Sequence, residues 1–226
     1  MTGTHRPAPF FFLAALGCLY VAFLALDLLR PGSGWSVALK YAAILLCFFK
    51  GLGCPRNTDG LLTRWALGFT LAADWFLLVL DRYYWAGVAC FCAVQVLYMV
   101  RIRRLGGWAL GPELILRGLA AAVLLAGAAA LGALDGLTAL ALCYFSQLAC
   151  NAMAALLLGR RGRLLALGLL FFVGCDLCVG LHNLSPALAV LLPASLFSFA
   201  QVGMWLFYLP SQALITLSAG KLCDNA

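Results

Sequence analysis

The sequence predicts an all-α integral membrane protein, a polytopic bundle of about eight transmembrane helices. Hydrophobic residues make up 65% of the 226 residues, and charged residues only 10%. A composition this apolar excludes a soluble domain with a polar surface. Long apolar runs alternate with short polar segments, and spans of about 20 residues fill the chain. We therefore expect one membrane domain over residues 1–226, with any function inside the bundle or at its rims.

The apolar runs, taken in order, define the spans. A short polar lead over residues 1–9 precedes the first span, 10–29; the alternative is a secretory signal peptide, which would have a shorter apolar core and a small-residue cleavage site. The other spans are predicted at 35–49, 65–80, 84–100, 113–134, 137–158, 164–184 and 199–217. Residues 50–64 are expected to form a polar loop. Residues 185–198, interrupted by two prolines, are expected to be interfacial or re-entrant.

Basic residues between the spans predict the topology. One side of the membrane receives most of them: Arg6, Lys50, Arg56, Arg64, Arg101, Arg103, Arg104, Arg117, Arg160, Arg161, Arg163 and Lys221. The other side receives only Arg30 and Arg82, so the positive-inside rule places both termini in the cytoplasm. We expect a multi-pass protein of a bacterial plasma membrane. The net charge of +7 predicts no nucleic-acid partner, because the basic residues form no patch with interleaved aromatics.

Two aspartates lie well inside apolar runs, Asp74 in LAADWFLL and Asp176 in FVGCDLCV. A carboxylate at such a position costs at least about 2.5 kcal/mol, so it requires a partner or a function. Lys40, inside the second span, either pairs with a buried acid or extends its amine to the interface. The structural alternatives are an ion pair with Lys40 for Asp74 and a packing hydrogen bond for Asp176. Both acids are predicted near the middle of their spans, where one cavity can hold both.

Uncharged polar residues also recur at helical spacing. Gln95 and Tyr98 lie on one face of the fourth span, and Tyr208 and Gln212 on one face of the last. Each pair either contacts a substrate or forms hydrogen bonds between helices.

No metal site or cofactor is expected. Cys175 and Cys178 form a C-x-x-C, but it lies in an apolar run without the second pair that a tetrahedral site needs. His182 is expected to be an interfacial residue rather than a ligand. The common nucleotide-binding and hydrolase motifs of soluble enzymes are absent from the sequence.

Several segments together resemble a known family. These are Lys40 after an aromatic-led run, ADWFLL around Asp74, AVQVLYM around Gln95, GCDLC around Asp176 and YLPSQALITLS from Tyr208. They are similar to successive signatures of the YhhN family, eight-helix membrane proteins that include the lysoplasmalogenases, and the resemblance covers most of the chain. Gln95 stands where the family usually has histidine. Because glutamine transfers no proton near neutral pH, a proton-transfer role at this position is in doubt.

The resemblance implies hydrolysis of the vinyl ether bond of lysoplasmalogens, so the expected partner is a lysophospholipid or a related amphiphilic lipid. Two carboxyls suit this chemistry, one as proton donor and one as base. The implied catalytic residues are Asp74 and Asp176, and the implied substrate-binding or positioning residues are Lys40, Gln95, Tyr98, Tyr208 and Gln212. We expect Lys40 and the two aspartates to approach one another, and an aspartate beside Lys40 would be the base. The alternative is a non-enzymatic lipid or small-molecule binding or transport bundle, with a structural or proton-coupling acid pair.

Overall fold

The structure, a computed structural model, describes residues 9–30, 32–54, 56–106, 110–183 and 193–221. Within these ranges it is all-helical. The long helices are α1 (Pro9–Leu29), α2 (Gly34–Leu52), α3 (Thr58–Asp74), α4 (Tyr84–Gly106), α5 (Leu110–Ala130), α6 (Gly136–Leu157), α7 (Arg163–Asn183) and α8 (Ala194–Lys221). All 8 are long and apolar enough to cross a membrane, α3 together with its extension to Val79. The predicted fold class is confirmed.

Two helix starts differ from the prediction by five residues or more. α3 begins at Thr58 rather than at residue 65, because the Asn57 side chain caps it by accepting a hydrogen bond of 2.8 Å from the Gly60 backbone N–H. The expected polar loop is therefore largely helix. α8 begins at Ala194 rather than at residue 199, so the end of the expected interfacial segment is helical. Residues 185–192 of that segment, and residues 1–8 of the expected polar lead, lie outside the described residues.

α3 does not end as a regular α-helix. It continues as a π-helical segment, Trp75–Val79, in which the Leu80 N–H donates to the Trp75 carbonyl at 2.9 Å. A left-handed turn follows, with φ of 48° at Asp81 and 58° at Tyr83, and the Tyr84 hydroxyl donates to Asp81 Oδ1 at 2.8 Å. Single π-helical turns inside helices are frequent at functional sites. Asp74 immediately precedes this π-helical segment.

α7 and α8 pack closely because Gly168 lacks a side chain. A Cβ at Gly168 would lie 3.1 Å from the backbone nitrogen of Ile215 and 3.2 Å from the carbonyl oxygen of Ser211. The absence of a side chain thus brings the two backbones together, as small residues commonly do between membrane helices. This contact fixes the helix of Asp176 against the helix of Tyr208.

Pro210 lies inside α8 and ties that helix to α1. Proline has no N–H, so the carbonyl of Leu206, one turn earlier, loses its intrahelical donor. The Tyr20 hydroxyl of α1 donates to this Leu206 carbonyl at 3.0 Å. A backbone group released by proline is thus satisfied by a neighbouring helix, as expected within a membrane.

Candidate functional site

The two aspartates lie at similar depths in the bundle. At 1.5 Å per residue, Asp74 is about 7 Å from Val79 and Asp176 about 10 Å from Asn183. Lys50, Arg104 and Arg161 mark the end of the bundle where most basic residues cluster, hereafter the basic end. Asp74 was expected near the middle of its span. Because α3 begins at Thr58, Asp74 lies instead closer to the end of the bundle opposite the basic end.

Asp74 on α3 is bonded to Tyr208 on α8. The tyrosine hydroxyl donates to Asp74 Oδ2 at 2.7 Å, and both side chains are buried. Two site residues predicted from separate signatures, 134 positions apart, are thus in direct contact. A hydrogen bond to a charged oxygen is among the stronger ones, so this bond fixes the orientation of the carboxyl.

Asp176 on α7 lies beside Tyr144 on α6. No hydrogen bond joins the two, because the Tyr144 hydroxyl and Asp176 Oδ2 are both without a partner among the described residues. Tyr144 was not predicted as a site residue. The available signal was its position three residues before Gln147 and seven before Asn151, on the polar face of the sixth span. As a residue Asp176 is only partly buried, unlike Asp74, although its Oδ2 atom is buried.

A row of aromatic rings joins the two aspartate–tyrosine pairs. The Phe91 ring stacks on Tyr144 at 5.5 Å between centroids and meets Phe172 edge-on at 5.6 Å, and Phe172 meets Tyr208 at 5.6 Å. The thiol of Cys175 interacts electrostatically with both carboxyls. Asp74 and Asp176 therefore share one neighbourhood, with hydroxyl groups at both ends and ring faces between them.

Lys40 has a different partner from the one expected. Its Nζ lies 2.8 Å from Asp27 Oδ2 across the short turn between α1 and α2, and the Ser36 hydroxyl donates to Asp27 Oδ1 at 2.5 Å. The ion pair considered between Lys40 and Asp74 is thus corrected, because Asp27 is the closer acid. The ammonium group also lies 4.9 Å from the Trp205 ring, which packs against Tyr208 at 5.4 Å. The Trp205 ring therefore lies between the Lys40 ammonium group and Tyr208.

Gln95 is tied to α6 rather than to an aspartate. Its Oε1 accepts a hydrogen bond from Asn151 Nδ2 at 3.0 Å, and the same amide donates to the Gln95 backbone carbonyl at 2.9 Å. Tyr98 and Gln212 are fully buried, and within the described part of the chain the Tyr98 hydroxyl and the Gln212 amide have no hydrogen-bond partner.

Two arginines that were counted among the topology signals, Arg101 and Arg117, are buried inside the bundle. Arg101 makes two hydrogen bonds to Asp59, of 2.6 and 3.1 Å, and a third of 2.9 Å to Ser218. Arg117 donates to Glu113 at 2.6 Å and to Asn151 at 2.7 Å. Each positive charge is neutralised inside the bundle.

An open cavity of about 440 Å³ lies beside the Arg101–Asp59 pair at the basic end. Asn57, Arg104 and Leu105 also line it. The cavity is therefore separate from the aspartate–tyrosine pairs.

The chain matches the family model of the YhhN family over residues 35–219. This range contains every site residue predicted from the sequence, as well as Tyr144. No curated protein and no solved structure gives a significant match.

Proposed function

The chain belongs to the YhhN family, and on that premise we propose that it is a membrane-embedded hydrolase that cleaves the vinyl ether bond of lysoplasmalogens. The family includes lysoplasmalogenases, which gives the substrate class. The observation that carries the proposal is the pair of carboxyls, Asp74 and Asp176, each beside a tyrosine hydroxyl and joined by one row of aromatic rings. Enzymes that hydrolyse a bond through an oxocarbenium-like transition state usually use two carboxyl groups, one on each side of that bond.

The reaction consumes one water and returns both carboxyls to their starting states. One protonated carboxyl donates its proton to the alkenyl carbon that is not bonded to oxygen, which leaves an oxocarbenium ion. Water adds to the carbon bonded to oxygen, and the second carboxylate takes a water proton, which gives a hemiacetal. That second carboxyl then protonates the ether oxygen while the first accepts the hemiacetal hydroxyl proton. The carbon–oxygen bond breaks, and a fatty aldehyde and a glycerophospho-base leave.

We assign the base to Asp74 and the proton donor to Asp176. Burial of Asp74 disfavours its charged form, and the Tyr208 hydroxyl, which donates to Asp74 at 2.7 Å, offsets that cost and so supports a base at this position. Asp176 is partly open on α7, whose neighbouring Leu177 is exposed on the outside of the bundle. An amphiphile that enters from the bilayer reaches this carboxyl first. The faces of Phe91 and Phe172 suit the positive charge that develops between the two acids.

The test compares three lipids with the purified protein in detergent or liposomes. A lysoplasmalogen should release a fatty aldehyde, whereas its acyl and saturated alkyl ether analogues should release nothing, because only the vinyl ether can be protonated on carbon. Release of fatty acid from the acyl analogue would indicate an esterase instead. Absence of aldehyde, combined with saturable binding of the same lipid, would favour the non-enzymatic carrier.

A further inference from the structure

Five polar side chains lie buried between the Arg101–Asp59 pair and the aspartates without their hydrogen bonds filled. Each is at most 1% exposed and has at least one polar atom with no partner among the described residues. They are Thr70 on α3, Gln95 and Tyr98 on α4, and Ser211 and Gln212 on α8. A buried polar group left unsatisfied costs about 1–3 kcal/mol, so a cluster of five requires a common explanation.

The five residues are placed along a path from the basic end to Asp74. Thr70 is one helical turn, about 6 Å, from Asp74 on the side of the basic end, and Gln212 is the same distance from Tyr208. Tyr98 is about one turn from Arg101, whose guanidinium bonds to Ser218 at the end of α8. Polar groups on three helices thus succeed one another between the Arg101–Asp59 ion pair and the Asp74–Tyr208 pair.

Cys47 on α2 is fully buried beside this path. Its thiol interacts electrostatically with Tyr98 and with Asp74, and it lies against the Thr216 hydroxyl of α8. The path begins at the open cavity of about 440 Å³ beside Arg101 and Asp59. A buried thiol therefore lies among the polar groups between Arg101 and Asp74.

We propose that these side chains hold a column of ordered water that enters beside Arg101 and Asp59 and ends at Asp74. Buried waters typically make about three hydrogen bonds each to otherwise unsatisfied polar groups, and the five side chains supply such groups. The column rests on the proposed function in one respect only: the last water is the one that Asp74 activates for attack. Lipid then enters from the bilayer and water from the basic end, by separate routes.

The column is tested by radiolytic labelling of the intact protein in 18O-labelled water, which oxidises side chains that contact water even where they are buried. Tyr98 should take up the label although it is fully buried. In Thr70→Val and Gln212→Leu, which remove polar groups from the column, labelling of Tyr98 should fall at least threefold. The matched control is Ser146→Ala, which removes an equally buried hydroxyl that already donates to the Cys143 carbonyl at 2.7 Å; it should leave Tyr98 labelling unchanged.

Unlabelled Tyr98 in the wild-type protein would overturn the proposal, as would equal labelling in all the variants. Thermal stability gives a second readout. In a dry bundle, removal of the unsatisfied Thr70 hydroxyl in Thr70→Val would raise the unfolding temperature, whereas in a hydrated column it should not. Labelling of Tyr98 without vinyl ether hydrolysis would support the water column and reject the hydrolase. Hydrolysis without labelling of Tyr98 would support the hydrolase and reject the water column.

Discussion

At Asp74, a carboxyl is held in the membrane interior by a specific hydrogen bond rather than by an ion pair. Its described hydrogen-bond partner is neutral Tyr208, and the nearby ammonium group of Lys40 is paired with Asp27. A carboxyl that stayed permanently ionised would be expected to have a buried cation beside it, because an unpaired charge is costly there. The arrangement therefore favours a carboxyl that changes its protonation state during function.

The first prediction concerns the two acids. General acid or base catalysis contributes about a hundredfold to ten-thousandfold, so Asp74→Asn and Asp176→Asn should each reduce aldehyde release by at least a hundredfold. The amide is isosteric with the carboxyl, so the purified variants should keep the wild-type unfolding temperature to within a few degrees. An aspartate variant with full turnover and unchanged stability would identify that carboxyl as structural.

The second prediction concerns the Tyr208 hydroxyl. Its removal in Tyr208→Phe deletes a hydrogen bond to a charged group, worth about 1.5–3 kcal/mol, so kcat should fall roughly tenfold to a hundredfold. Tyr20→Phe is the control, because the Tyr20 hydroxyl also bonds to α8 but contacts the Leu206 carbonyl. That variant should lose stability and retain turnover. If both variants lost turnover equally, the effect would come from the position of α8 rather than from Asp74.

The third prediction concerns Gln95. Gln95→Ala should lower turnover less than tenfold, because Asn151 keeps its hydrogen bond to the Gln95 backbone carbonyl. Gln95→His should retain activity, since an imidazole nitrogen can also accept from Asn151. Turnover is measured at several pH values for both variants. A tenfold rise in Gln95→His would instead show that a proton is transferred at this position.

The sequence predicted both residues of the Asp74–Tyr208 contact but not the contact itself. An aspartate in an apolar run is conspicuous, because its cost is high wherever the helix packs. The partner of Lys40 was not predictable, since four acids lay within spans and only packing determines which is nearest. Tyr144 was not predicted as a site residue because tyrosine is common at the ends of membrane helices, and its hydroxyl carries no charge.

At the scale of the helices, α5 is held to α6 largely by one polar cluster. Arg117 is 3% exposed and donates to Glu113, to the Gln147 side chain at 3.1 Å and to Asn151. Asn151 in turn donates to Gln95 on α4. The cluster therefore links three helices and fixes the register of α6, which carries Tyr144.

The fourth prediction follows from this cluster. Arg117→Met leaves the buried Glu113 carboxylate without its main partner, so the free energy of unfolding should fall by about 3–5 kcal/mol. The double variant Arg117→Met with Glu113→Leu should recover most of that loss, because it buries no uncompensated charge. Unfolding in detergent measures both. A double variant no more stable than the single one would show that Arg117 acts through packing alone.

Element boundaries were predictable where apolar runs end abruptly and not where helices extend past them. The apolar core of every span was correct because its length is set by the bilayer. α3 extends into polar sequence because Asn57 caps its first turn and Asp59 in that turn pairs with Arg101 on α4. The sequence shows both charges but not that they meet, so the segment was assigned to a loop. Arg117 and Glu113, four residues apart, carried a signal that could have been used.

At the scale of the whole molecule, neutralisation of Arg101 and Arg117 changes which residues determine orientation. Both charges are buried against acids, so their contribution to the topology is reduced. The described loops and helix ends at the basic end still carry Lys50, Arg56, Arg64, Arg103, Arg104, Arg160, Arg161 and Arg163, against Arg30 and Arg82 at the opposite end. The asymmetry survives, so the basic end is still predicted to face the cytoplasm.

The fifth prediction tests this orientation. Reporter fusions at Arg104 and Arg161 should report the cytoplasm, and fusions at Arg82 and Asp135 should report the exterior. Asp135 is well suited to a fusion because it lies in the α5–α6 turn, where the Thr138 N–H bonds to it at 2.6 Å and lowers the pKa of its exposed carboxyl. The reverse pattern would refute the orientation and would place the entrance beside Arg101 and Asp59 outside the cell. With the predicted orientation, the water column opens to the cytoplasm while the two aspartates lie nearer the outer leaflet, so water and lipid reach the site from different compartments.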